Sequence, residues 1–134
     1  MAGPIDIVTV SYWNDVQMIQ HRAVVLGTDE QHITLPSGND PYPPPVGIAR
    51  DGNAIGKQEA VREHGRDWCE AAGTCTAGKP ARVMANGLVQ DAILGSAQAP
   101  PVDATQQTII GYFRTSGVAG DLVIVDIAPG TIYQ

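Results

Sequence analysis

The densest cluster of reactive side chains in the chain is His64, Asp67, Cys69 and Cys75. A cysteine nucleophile needs a lowered thiol pKa and a positioned base. Cys69 with His64, near Asp67, would be that pair. These residues are local neighbours in a polar segment, however, and no oxyanion-hole signature accompanies them. Cys69 and Cys75 lie six apart, a spacing that could close a small hairpin disulfide. Without a secretory signal, two reduced thiols in a turn are expected instead. Two cysteines with no second pair do not make a zinc site, and His21, His32 and His64 are scattered along the chain. Asp29, Glu30 and Asp40 read as solvated loop charges. Nucleophile-elbow, phosphate-loop and dinucleotide fingerprints are all absent. The residues therefore lead us to expect no enzyme: no catalytic group, no bound metal and no cofactor.

Such a chain works by surface contact, and its charge limits the partners. The net charge is −6 over 134 residues. That disfavours direct nucleic-acid binding, which needs a basic surface to displace phosphate counterions, and docking on an anionic membrane. No run of about 18 apolar residues is present to cross a bilayer as a helix. Met1-Ala2-Gly3-Pro4-Ile5-Asp6 lacks the basic and apolar regions of a signal peptide, so synthesis in a cytoplasm-like compartment is expected. The length suits one domain. Aromatic residues make up only 5% of the chain. The core must be built from Val, Ile, Leu and Ala, and help from oligomerisation or a partner is expected.

The elements that position these surfaces follow from a recurrent spacing. Gly56 precedes Val61 by five residues, as Gly78 precedes Val83 and Gly120 precedes Val125. Each Val is followed by another glycine, Gly65, Gly87 or Gly130. Glycine supplies a positive-φ turn and a strand of about five or six residues follows. A longer echo supports the repeat. Val46-Gly47-Ile48-Ala49-Arg50 aligns with Ile110-Gly111-Tyr112-Phe113-Arg114 at an offset of 64, and at that offset Gly56 meets Gly120 and Val61 meets Val125. The architecture expected is all-β.

Along the chain, 21–27 and 31–35 read as strands. Pro41-Tyr42-Pro43-Pro44-Pro45 reads as a stiff exposed loop. Segment 57–72 mixes helical charge pairs with too few apolar positions for a helix face. It reads as a strand over about 58–63, with a helical turn possible after Gly65. Pro80 places the strand 78–84 at a sheet edge. Asn86-Gly87 is a hairpin turn, and 98–103 a second exposed loop. The runs 108–113 and 122–127, the latter closed by Pro129-Gly130, are apolar enough to be buried on both faces or at an interface. Residues 1–20 have no echo elsewhere. They read as an arm that packs outside its own barrel, or else as an ordinary first strand, with 21–134 as the main domain.

Taken in order, the strand Val46–Ala49, Gly56 to Val61, Gly78 to Val83, the Asn86-Gly87 hairpin, Ile110-Gly111-Tyr112-Phe113 and Gly120 to Val125 resemble the small capsid decoration, or cement, proteins of tailed bacteriophages. The resemblance covers about residues 21–128. It implies a small β-barrel-like, or β-tulip, domain with an extended N-terminal arm. It implies homotrimers on the outside of the virion head where capsomers meet, bound to the major capsid protein and stabilising the shell without catalysis. The proline loop and the charged stretch 57–70 depart from the family pattern.

Contact residues are expected in the arm and the proline loop: Ile5, Ile7, Val8, Val10, Tyr12, Trp13 and Tyr42. Aromatics are enriched at interface hot spots, and Tyr12 and Trp13 are two of only seven in the chain. The alternative is a free β-barrel module for a small ligand or carbohydrate, with Trp13, Tyr42 and Trp68 as stacking residues.

Overall fold

The glycines that repeat in the sequence are the residues at which the chain turns. In the structure, a computed structural model that describes residues 7–93 and 106–133, Gly56, Gly78 and Gly120 have φ of 79°, 90° and 90°. Each sits third in a four-residue turn. The turns are closed by Lys57 N–H to Ala54 O, Lys79 N–H to Thr76 O and Asp121 N–H to Val118 O, at 3.1, 3.0 and 3.0 Å. Positive φ at the third position is the geometry of a type II turn and selects glycine. A strand starts two residues later in every case, and Val61, Val83 and Val125 are fully buried.

The strands are β1 (Val8–Asn14), β2 (Ala23–Leu26), β3 (His32–Thr34), β4 (Gly47–Ala49), β5 (Gln58–Glu70), β6 (Pro80–Val83), β7 (Val89–Asp91), β8 (Gln106–Phe113) and β9 (Leu122–Tyr133). The order β1-β3-β2-β4-β5, with β5 pairing back onto β1, closes a barrel; β9, β8, β6 and β7 continue from β5 as an open sheet. All these pairs are antiparallel except β1 with β3. The all-β expectation holds. Ile5 and the loop 98–103 lie outside the described residues.

β5 joins the two halves. Residues 58–64 pair with β1 and residues 65–70 with β9. Gly65, expected to end a strand, instead lies inside β5 with φ of 98°, and no helical turn follows it. A glycine within a strand marks an irregularity as readily as a terminus. Gly130 likewise sits inside β9, opposite Ile109. Pro80 starts its strand as expected, but β6 lies between β7 and β8, so β7 is the sheet edge. Asn86 and Gly87 have φ of 63° and 76° and form the expected tight turn between β6 and β7.

The arm reading of residues 1–20 is corrected over 8–14. β1 is the strand that closes the barrel. Val10 and Tyr12 lie opposite Val61 and Glu59, and Trp13 also pairs with His32 of β3. Closing a sheet on itself removes its exposed edges, which explains why the first strand is needed although it has no echo.

The offset of 64 is a duplicated hairpin. β4 meets β5 with Ile48 opposite Arg62 and Ala49 opposite Val61; β8 meets β9 with Tyr112 opposite Asp126 and Phe113 opposite Val125. Arg50 N–H donates to Ala60 O, and Arg114 N–H to Ile124 O. Ala60 N–H is accepted by Asp51 Oδ2, and Ile124 N–H by Thr115 Oγ1. Every partner in the second set is the first plus 64.

Two cores result. Met18, Val24, Ile33, Ala49 and Val61 fill the barrel, with Tyr12, Val16, Leu35 and Val46 packed against them. Cys69, Val83, Val89, Ile110, Phe113, Val123 and Val125 form the second, which Ala23 and Ile48 join. β2 and β4 thus send alternate side chains into different cores, so their short apolar runs are buried on both faces.

Candidate docking surfaces

The cysteines face away from chemistry. Cys69 and Cys75 are free, buried and part of the second core. Burial, with Cys75 nearby, pushes the Cys69 thiol up to about 12; burial with Asp91 and Asp121 pushes Cys75 up to about 11. A nucleophile needs the opposite shift. Both thiols are therefore expected to resist iodoacetamide at pH 8 in the native protein, with thiolate fractions lowered about 100-fold or more from the free thiol. Both should react at the ordinary rate once urea unfolds the chain. Fast labelling of the native protein would contradict the buried placement. His32 pairs with Asp29, Nδ1 to Oδ1 at 2.6 Å. Among the described residues no three His, Cys, Asp or Glu side chains gather as metal ligands.

β1 divides the expected contact residues. Tyr12 packs against the barrel core and its hydroxyl donates to Glu63 Oε2; burial and that carboxylate push its pKa up to about 12. Val10, opposite Val61, is partly buried. Ile7, Val8 and Trp13 are exposed, Trp13 to 41%. Tyr42 is the most exposed large apolar residue among the described residues, at 78%. It lines a groove of about 440 Å³ with Val25, Leu26, Leu35 and Pro43, and no β1 residue borders that groove. Asp40, which lies in sequence between the groove residues Asn39 and Pro41, is not a solvated charge. It accepts from Arg82 Nε at 2.8 Å and from Thr108 N–H at 3.1 Å. Burial opposes its charge, but the Arg82 and Thr108 bonds outweigh burial and hold the carboxyl below its usual range. Thr108 Oγ1 also donates to Pro41 O at 2.8 Å. The proline loop is thus clamped onto β6 and β8.

A further surface lies on β5 and its neighbours. Arg50, Arg62, Arg66, Asp67, Trp68 and Ile124 line a cleft of about 280 Å³. Arg66 Nε lies 2.6 Å from Asp126 Oδ1, Arg114 Nε 3.4 Å from Asp126 Oδ2, and Arg50 Nε 3.2 Å from Asp67 Oδ2. Arg62 donates to Thr9 Oγ1 and to Arg66 O. In the sequence this face is signalled only by Arg50 and Arg114, which end the two echoed segments.

No family model and no curated protein sequence matches the chain. A solved structure does match: the N base of the head fiber gp8.5 of bacteriophage phi29, with a TM-score of 0.65 over 92% of this chain and 95% of that one, at 14% identity. The two chains share a fold. Coverage of this extent takes in strands of both the barrel and the open sheet.

Proposed function

We propose that this chain is a structural protein of a phage virion, seated on the outside of the head, where it binds the major capsid protein and reinforces the shell without catalysis. The observation that carries the reading is the fold shared with a head-fiber base over nearly the full length of both chains. The acidic net charge agrees with it, because a shell-exterior protein has no use for a nucleic-acid surface. Attachment where capsomers meet and assembly as a homotrimer are the finer parts of the proposal. Exposed Ile7, just before β1, Val8 and Trp13 on β1, and Tyr42 are the proposed contacts.

The test mixes the purified chain with empty heads of the phage that encodes it. Saturable co-sedimentation and a trimer mass by light scattering are expected. Trp13→Ala is expected to weaken attachment by about 2 kcal/mol, the scale of an aromatic hot spot. No co-sedimentation would overturn the reading and favour a free ligand-binding module. An unchanged affinity for Trp13→Ala would move the contact off β1. Deleting residues 2–14 is not a usable control, since it removes the strand that closes the barrel.

A further inference from the structure

Four of the six arginines of this acidic chain, Arg50, Arg62, Arg66 and Arg114, gather on one face. The other two are committed elsewhere, Arg22 to Glu70 and Arg82 to Asp40. Among the described residues only Asp67 and Asp126 pair with the four, and each of those ion pairs is made through Nε. Arg62 has no carboxylate partner among the described residues. Arg50 and Arg66, held by Nε, still present their terminal nitrogens as a planar fork that fits a carboxylate, and Arg62, whose Nη1 also donates to Arg66 O, presents Nη2.

The same face is apolar between its charges. Trp68 lies opposite Ile124 on the neighbouring strand. Trp68, Tyr112 and Leu122 are 44%, 44% and 46% exposed. Exposed Trp and Tyr beside Arg is the residue mixture enriched at binding hot spots. Arg62 bonds Thr9 of β1, so the face continues onto the strand that carries Trp13.

We propose that this face docks a short acidic segment of a protein partner, its carboxylates on Arg50, Arg62 and Arg66 and its apolar side chains against Trp68 and Ile124. Charge complementarity selects the sign: an excess of arginine set in a chain of net charge −6. Size and surroundings select a peptide. The cleft of about 280 Å³ takes a few side chains. A polynucleotide would run beyond it onto acidic surface, where it gains no counterion release. The inference goes beyond shell attachment and does not depend on it.

The test needs no shell. The probes are a capped six-residue peptide with three glutamates alternating with leucine, phenylalanine and glycine, the same peptide with glutamine for glutamate, and a ten-residue oligothymidine. In a Trp13→Phe background Trp68 is the fluorescent reporter. The glutamate peptide is expected to shift the Trp68 emission and to bind about tenfold tighter than the glutamine peptide, with affinity falling as salt rises. Arg62→Gln with Arg66→Gln is expected to abolish that preference. Equal affinity for the two peptides on the unsubstituted arginines overturns the proposal, whatever the folding of the variants. Oligothymidine binding tighter than the glutamate peptide overturns it in favour of a nucleic-acid surface.

Discussion

Replacing Glu59 by Ala is expected to destabilise the fold by about 3–5 kcal/mol, the scale of losing one side of a buried charged network. Glu59 is fully buried at the start of β5. Its Oε2 accepts from the Asp51 and Gly52 N–H groups at 2.6 and 2.8 Å. Its Oε1 accepts from the Asn53 N–H at 2.8 Å and from Asn14 Nδ2 at 3.2 Å. The carboxylate thus gathers three successive amides of the β4–β5 connection and ties them to the last residue of β1. Alanine leaves those donors without their acceptor, at about 1–3 kcal/mol for each that stays buried. Glu59→Gln keeps the volume but turns one acceptor into a donor facing N–H groups, so it should also cost stability, though less. Urea denaturation reads both. A loss below about 1 kcal/mol for Glu59→Ala would show that water replaces the carboxylate and that the connection is not held by it. The duplicated hairpin makes the point sharper. The position 64 residues on is Val123, equally buried but apolar. In the second copy the turn amides go elsewhere: Gly117 N–H donates to Cys75 O and Val118 N–H to Asp121 Oδ2.

What the sequence made legible was local chemistry. Gly56, Gly78 and Gly120 are read correctly because a positive φ before a strand is a property of four residues. The echo at 64 is legible because a hairpin's register depends on the same few close contacts in each copy. Gly65 and Gly130 are misread because spacing alone does not separate a glycine inside a strand from one that ends it. β1 stays open between an arm and a first strand in the sequence because its partners, Gln58 to His64 and His32, are supplied by distant segments. Asp40 is misread for the same reason: its cation, Arg82, lies 42 residues away. The arginine face draws on residues from 50 to 114, and no window of sequence contains it. Trp68 reads in the sequence only as a stacking candidate, without the guanidinium groups that line the cleft with it.

The last expected result separates two kinds of glycine that look alike in the sequence. A Cβ on Gly111 would lie 1.8 Å from Asp126 O, 2.8 Å from Asp126 C and 2.9 Å from Ala128 N, all backbone atoms of the paired strand. A Cβ on Gly47 would lie 2.2 Å from Arg62 O and 2.9 Å from Arg62 C. These are equivalent positions of the duplicated hairpin, and the nearest atoms, the carbonyls of Arg62 and Asp126, are equivalent too, although Gly47 would also meet Val61 Cγ1 at 2.8 Å. Neither carbonyl is a flexible side chain that can swing aside, so the strand pair itself must open. Gly111→Ala and Gly47→Ala are each expected to cost about 3 kcal/mol or more, at or beyond the upper end of ordinary overpacking. Gly120→Ala meets nothing within 4 Å and has only its φ of 90° to resist it, which should cost about 1 kcal/mol. Urea midpoints of the three variants order them. If Gly120→Ala proved the most damaging, the turns rather than the close strand approach would hold the hairpins. If only one of Gly47→Ala and Gly111→Ala were severe, the two copies would not share their packing. Equal severity is expected because β5 belongs to both halves. Opening the barrel at Gly47 loosens β5, on which β9 pairs, and opening the sheet at Gly111 loosens β9, which pairs with β5.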